Sequence, residues 1–344
     1  RWRRLGSWAD HGYHRPMRRG LRTGGYVLLI AFAFAAGWIP LPFFSFGPGP
    51  AREIVPLIHV DGAPTYGSSG RLVMTTIQFT QVTALGALVA WVDPEEVVVD
   101  RDDVYPPGLS QPQEEQRAIS QMDQSKIDAA AVVLSDVADY PAEHGSGALV
   151  EFVGPDCPAD GRLFPGDLIE RIDGERVDSR REASRLIDAV PADEPIEFRV
   201  QADGEEHDVR VARGSCPGSD EPLIGIVLVE AFPFEITIES GDVGGPSAGL
   251  MWAVGLFDLL TRGDLTAGRT IAGTGTIDLE GNVGPIGGIL DKVLAARDAS
   301  ADVMLVPRDN FPELRDVDTG DLKLIPVSTF DEAVDGLASS QTPT

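Results

Sequence analysis

Residues 24–46 read GGYVLLIAFAFAAGWIPLPFFSF, 23 positions without a charge. A helix needs about 20 consecutive apolar residues to cross a bilayer core, so this run predicts a single transmembrane helix over residues 25–46. Before it stand seven arginines (Arg1, Arg3, Arg4, Arg15, Arg18, Arg19, Arg22) against Asp10, which makes residues 1–24 formally +6. Basic flanks stay on the cytoplasmic side, so the tail is expected in the cytoplasm and everything from about Pro48 onward outside it. A cleaved signal peptide would carry an apolar core of about 7–15 residues and end at a small-residue site. This run is longer and ends in Trp38, Phe43, Phe44 and Phe46, side chains suited to an interfacial belt. Pro40 and Pro42 are expected to break its outer end.

The whole chain is at −26 and the tail at +6, so the remainder is at −32. So acidic a body repels phosphate backbones, and no basic stripe or aromatic platform offsets it, which excludes nucleic acid as a partner. Only three of the 28 basic residues are lysines, Lys126, Lys292 and Lys323. Arginine does not lose its proton in a protein whereas a desolvated lysine does, so each retained lysine is a candidate base. The two cysteines, Cys157 and Cys216, fall in the part expected outside the cytoplasm, where oxidation is allowed. They could pair or stay as two unpaired small residues, since sequence does not supply the Cα separation a disulfide needs.

Along the remainder, residues 71–79 read as an extended run, 84–92 as an apolar stretch and 105–112 as a proline-marked loop. Helical composition follows over 114–138, with Ile119, Met122, Ile127, Ala130, Ala131 and Leu134 spaced as a packing stripe without chemistry of its own. Between 147 and 213 the periodicity predicts a strand at 148–153, a strand at 167–172, a turn at Asp173-Gly174, a helix at 180–189, and a strand at 196–201 leading into a hairpin at Asp203-Gly204. The order of Phe164, Pro165, Gly166, Asp167, then Asp173 and Gly174, resembles a PDZ domain of the bacterial protease type. The resemblance implies a module that binds extended peptide by strand addition, presenting substrate or gating access. A spacer domain without a ligand is the alternative.

Gly244-Gly245-Pro246-Ser247-Ala248-Gly249 stands between an apolar alternating strand (234–239) and an apolar helix (250–260). Glycines there allow a sharp turn that presents the serine hydroxyl, with helix N-terminal N–H groups near it to receive an oxyanion. The hexapeptide also fits the Gly-x-Ser-x-Gly elbow of α/β-hydrolases, whose acid and histidine follow the serine. All five histidines (His11, His14, His59, His144, His207) precede Ser247, and His144 and His207 stand in polar stretches typical of a solvated surface. Another base is therefore needed. Gly284-Pro285-Ile286-Gly287-Gly288-Ile289-Leu290-Asp291-Lys292 supplies one, on a helix opened by glycines. The neighbours of Lys292 at three and four residues are Ile289, Gly288, Ala295 and Ala296, so no i,i+4 ion pair holds its proton. Burial among such groups lowers a lysine pKa and makes the amine a usable base.

Residues of about 218–340 resemble the proteolytic domain of Lon proteases. The residues that carry this are Gly245, Pro246, Ser247, Ala248 and Gly249, then Thr274-Gly275, Gly281, Val283, Pro285 to Gly288, Lys292 to Ala296, Val306-Pro307 and Asn310. The resemblance implies a Ser-Lys dyad with Ser247 as nucleophile, Lys292 as base and Thr274 as the hydroxyl that bonds the lysine amine. Where Lon carries an acidic residue this chain has Gly244, so regulation through that carboxylate is not implied. No G-x-x-x-x-G-K-[ST] motif occurs in the sequence, so neither nucleotide nor ATP-driven unfolding is expected. The whole layout resembles membrane-anchored Lon-like peptidases of the YlbL type.

The expected architecture is α+β: a cytoplasmic Arg-rich tail (1–24), a transmembrane helix (25–46), an N-terminal extracytoplasmic region (51–145), a PDZ-like β unit (146–214) and a Lon-type α/β proteolytic domain (218–340). The expected activity is a serine endopeptidase that needs no ATP, no cofactor and no metal, acting on protein or peptide substrates outside the cytoplasmic membrane. Gly245, Pro246, Ala248 and Gly249 are expected to form its turn and oxyanion site. A homo-oligomer is left open. The rival is an inactive anchored scaffold whose PDZ-like unit recruits protein partners.

Overall fold

The computed structural model describes residues 37–84, 86–87, 97–100, 111–202 and 204–340. The described residues fall into two compact units, 37–47 with 79–84, 86–87 and 97–100, and 48–78 with 111–202 and 204–340. In the first, β1 (Pro40–Pro48) lies between β5 (Ile77–Thr83) and β6 (Val97–Asp100) in a three-stranded sheet. Its register sets Phe43 opposite Asp100 and Phe46 opposite Val97, and the Phe46 and Phe79 rings meet edge to face at 4.9 Å.

This strand corrects the sequence expectation. Residues 40–46 were to form the outer end of a transmembrane helix. Two prolines in three residues remove helix donors and clash with the preceding turn, and the aromatic run after them favours a pleated surface. Residues 25–36, the rest of the expected helix, lie outside the described residues. No helix among the described residues is long and apolar enough to cross a membrane. The 84–92 stretch and the 105–112 loop also fall largely outside them. The run at 71–79 divides at Thr75-Thr76 into β4 (Arg71–Met74) and β5, which enter different sheets.

The second unit is built on a five-stranded sheet of order β16-β15-β14-β4-β2, with β2 at Arg52–Glu53, β14 at Thr270–Gly273, β15 at Val303–Pro307 and β16 at Lys323–Val327. All neighbours are parallel except β2. Side chains alternate between faces: Leu72, Met74, Ile271, Val303 and Leu305 enter one core, and Val73, Ala272, Met304 and Val306 the opposite one. The first core takes α1 (Gln111–Val137), α3 (Gly249–Leu260) and α5 (Phe330–Ser339), and the second takes α4 (Ile289–Asp298). Cover on both faces explains why Val303–Pro307 is buried at every position and reads as an uninterrupted apolar run.

The 51–145 region is therefore not a region of its own. β4 pairs with β14, β3 (Ile58–Asp61) pairs with β13 (Glu235–Ile238), and α1 packs on α3, where Trp252 Nε1 donates to Met122 Sδ at 3.3 Å. These segments complete the core that residues after 218 were expected to make alone.

The intervening β unit follows the periodicity closely: β7 (Ala148–Val153), β8 (Leu168–Ile172), β9 (Glu175–Arg176), α2 (Arg180–Ala189), β10 (Pro195–Ala202) and β11 (Glu205–Ala212). Asp173 and Gly174 both take positive φ, 49° and 82°, as a tight hairpin turn requires. Ser179 caps α2 by accepting from Glu182 N–H at 3.3 Å. The boundary expected near 214–218 falls too early, because β12 (Ile226–Glu230) pairs antiparallel with β7 and ends the order β11-β10-β8-β7-β12. Its IVLVE sequence suits a strand, and Gly154 N–H donates to Gly225 O at 2.7 Å just before it. Cys157 and Cys216 form a disulfide beside this point, with Cα atoms 4.6 Å apart.

Candidate active site

Beyond β13 the chain enters a 3-10 turn, Pro246–Ala248, that runs directly into α3. Gly245 opens the turn at φ +85°, ψ 155°, a conformation closed to side-chain-bearing residues. The turn lifts Ser247 into a half-buried position. Its carbonyl is held twice, by Gly275 N–H at 2.8 Å and by the Thr274 hydroxyl at 3.0 Å.

Lys292 reaches the same point from α4. Gly288 starts that helix at φ +65°, and a Cβ there would run into Ile77, so this glycine is required by conformation and by space. Asn310 clamps the loop before it: Oδ1 accepts from Ile286 N–H and Nδ2 donates to Ile286 O, both at 2.9 Å. Lys292 is 3% exposed and Thr274 1%. The lysine Nζ donates to Ser247 Oγ at 2.8 Å and to Thr274 Oγ1 at 2.9 Å. Burial pulls its pKa down from 10.5 to about 8, because the desolvated site disfavours the charged form.

These contacts orient the amine. The Thr274 hydroxyl has one proton and gives it to the Ser247 carbonyl, so toward Lys292 it can only accept. A neutral amine that donates one N–H to Thr274 Oγ1 keeps its lone pair for Ser247, and the 2.8 Å contact then reverses, with the serine O–H donating. The arrangement can thus remove a proton from Ser247 at mildly alkaline pH without histidine. His144 and His207 are exposed, and His59 forms a surface pair with Glu239 at 3.8 Å.

Ser247, Lys292 and Thr274 come together, and Gly245, Pro246, Ala248 and Gly249 form the turn that carries Ser247. Three of those four offer no free N–H to an oxyanion. Gly245 N–H is taken by Ala118 O at 2.7 Å, proline has no N–H, and Gly249 N–H donates to Pro246 O. Ser247 N–H, by contrast, has no acceptor among the described residues and lies at the start of the turn, where helix donors are orphaned. No group of three or more metal-ligating side chains occurs among the described residues.

Two participants were missed in the sequence. Ala118 and Ser125 of α1 both contact the turn, the latter by donating to Pro246 O at 3.1 Å. A backbone carbonyl carries no residue-type signal, and Ser125 stood beside a stripe read only as packing.

Residues 210–339 are similar to the Lon protease (S16) C-terminal proteolytic domain, whose family model they match. The site described above lies within that match, apart from α1. The Lon protease of Rickettsia bellii is 34% identical over 116 residues, covering 32% of this chain and 15% of that protein. Lon protease 2 of Bacillus subtilis is 36% identical over 94 residues, covering 27% and 16%. The chain thus spans only about a sixth of the length of these curated relatives. Among solved structures, the PDZ domain of the SdrC-like protein Lin2157 from Listeria innocua is 26% identical with a TM-score of 0.23, covering 24% of this chain and 93% of that one.

Proposed function

We propose that this chain is a serine endopeptidase that works without ATP, with Ser247 as nucleophile and Lys292 as general base. The observation that carries the reading is the buried Lys292 amine 2.8 Å from the serine oxygen, with its pKa lowered to about 8. In acylation the neutral amine takes the Ser247 proton while Oγ attacks the substrate carbonyl. The ammonium then protonates the leaving amine, and water repeats the sequence on the ester. Thr274 keeps the amine aimed, and the negative oxygen of each tetrahedral intermediate faces Ser247 N–H.

In this reading the enzyme is a membrane-anchored Lon-like peptidase of the YlbL type, with the catalytic part outside the cytoplasm. The support is the arginine-rich tail ahead of the apolar run that begins at Gly24, and the disulfide. The PDZ-like unit hands polypeptide to the site. A cavity of about 950 Å³ lies between its Phe164, Pro165 and Gly166 loop and the Lys126 and Ile127 side of α1, with Ile238 of β13 at the wall. A serine-reactive probe tests the core of the proposal: it should label the wild-type chain and not Ser247→Ala. Peptide cleavage should be equal with and without ATP and magnesium, and dependence on the nucleotide would refute that part.

A further inference from the structure

We propose that Ser125, on α1, is a positioning residue that aims the Ser247 N–H at the oxyanion; the inference rests on the peptidase reading above. Ser125 is 2% exposed, and its hydroxyl donates to the Pro246 carbonyl at 3.1 Å. The Pro246 C=O and the Ser247 N–H are the two ends of one planar trans peptide unit. Whatever holds the oxygen therefore fixes the direction of the hydrogen. A hydrogen bond to the carbonyl also polarises the unit and strengthens the N–H as a donor.

The surrounding contacts leave this plane little freedom. Ala118, seven residues before Ser125 and so on the same face of α1, accepts the Gly245 N–H at 2.7 Å. A Cβ on Gly244 would stand 2.9 Å from the Ala118 Cβ, and one on Gly249 would run into the Ser125 hydroxyl. The turn thus lies against α1 over its whole length, with a backbone bond at one end and the Ser125 bond at the other. On the far side of the nucleophile Thr274 and Gly275 hold the Ser247 carbonyl. Ser125 and the Gly249 N–H, which both donate to the Pro246 oxygen, therefore fix the peptide unit before the nucleophile as Thr274 and Gly275 fix the one after it. In the tetrahedral adduct the new bond joins Ser247 Oγ to the substrate carbon, the carbonyl π pair moves onto its oxygen, and the serine proton goes to Lys292. The oxygen so charged is the atom that the aimed N–H meets.

The test uses the full chain, a peptide amide substrate and a peptide boronate of the same sequence, which forms a tetrahedral anion on the serine oxygen. Ser125→Ala should lower kcat/KM and boronate affinity together, by about tenfold. That is less than the roughly 10²–10³-fold loss from deleting an oxyanion donor outright, because the N–H is mis-aimed and not absent. KM and the pH midpoint should not move. Ser125→Cys, which keeps the volume but donates weakly, should fall between wild type and Ser125→Ala, and it carries the test if the alanine variant does not fold. Unchanged boronate affinity in the folded variants, or a loss carried wholly by KM, would overturn the assignment. A wild-type chain that forms no Ser247-dependent adduct would overturn the peptidase reading, and this inference with it.

Discussion

Replacing Lys292 by methionine should abolish turnover and at the same time stabilise the protein at neutral pH. The amine is 3% exposed, and burial lowers its pKa from 10.5 to about 8. At ~1.4 kcal/mol per tenfold change in acidity, keeping it charged in the folded state costs about 3 kcal/mol. Methionine has similar length and no charge to desolvate, but it gives up the bonds to Ser247 and Thr274, each about 1 kcal/mol net. The balance is a gain of about 1 kcal/mol, or a Tm rise of about 2–4 °C for a domain of this size. The pH dependence carries the diagnosis. Below pH 8 both folded and unfolded chains hold the proton and the cost is present in full. Between about 8 and 10.5 the unfolded chain binds more protons, so wild-type stability rises with pH relative to the variant. Calorimetric melting of both proteins at pH 6, 8 and 10 reads this directly. Parallel stability curves over that range would show that Lys292 is not desolvated, and would refute the reasoning.

Thr274→Val keeps the shape but removes the acceptor that orients the amine, so kcat should fall by roughly tenfold or more with little change in KM, as steady-state kinetics would show. Thiol titration of the denatured, unreduced chain should find no free cysteine, and reduction should lower stability by up to about 4 kcal/mol, the chain-entropy value for a closed loop of 59 residues. Asp128 is buried on α1 near Glu151, Asp278 and Glu280, and burial above all, with these carboxylates, raises its pKa to about 8. Asp128→Asn should therefore stabilise by at least about 1 kcal/mol at pH 8, with the gain absent near pH 4 and growing between; denaturant melts at the two pH values decide it.

The parts legible in the sequence were those whose signal is local. The glycines around Ser247 and before Lys292 mark turns that need them, and the structure brings Ser247, Lys292 and Thr274 within hydrogen-bond distance. The strand at 148–153 and the helix at 180–189 follow their periodicity residue for residue. What escaped depends on distant partners. Ile226–Glu230 reads as a strand anywhere, and only its pairing with Ala148–Val153 assigns it to the β unit. Residues 71–74 join the central sheet through β14, nearly 200 positions away. Pro40 and Pro42 did warn that the apolar run ends early, but hydrophobicity alone did not show that Pro40–Pro48 turns to strand.

The central claim, that Lys292 is the base for Ser247, is tested most directly by the pH dependence of acylation in the wild type and in Lys292→Arg. Arginine keeps the charge and nearly the length but cannot deprotonate. The wild-type rate of labelling by an activated peptide ester should rise with pH through a midpoint near 8. In a folded Lys292→Arg protein the rate should fall by about 10²–10⁴, the usual contribution of a general base, and that midpoint should vanish. An arginine variant that folds, keeps more than about a tenth of the wild-type rate and titrates through the same midpoint would contradict the account.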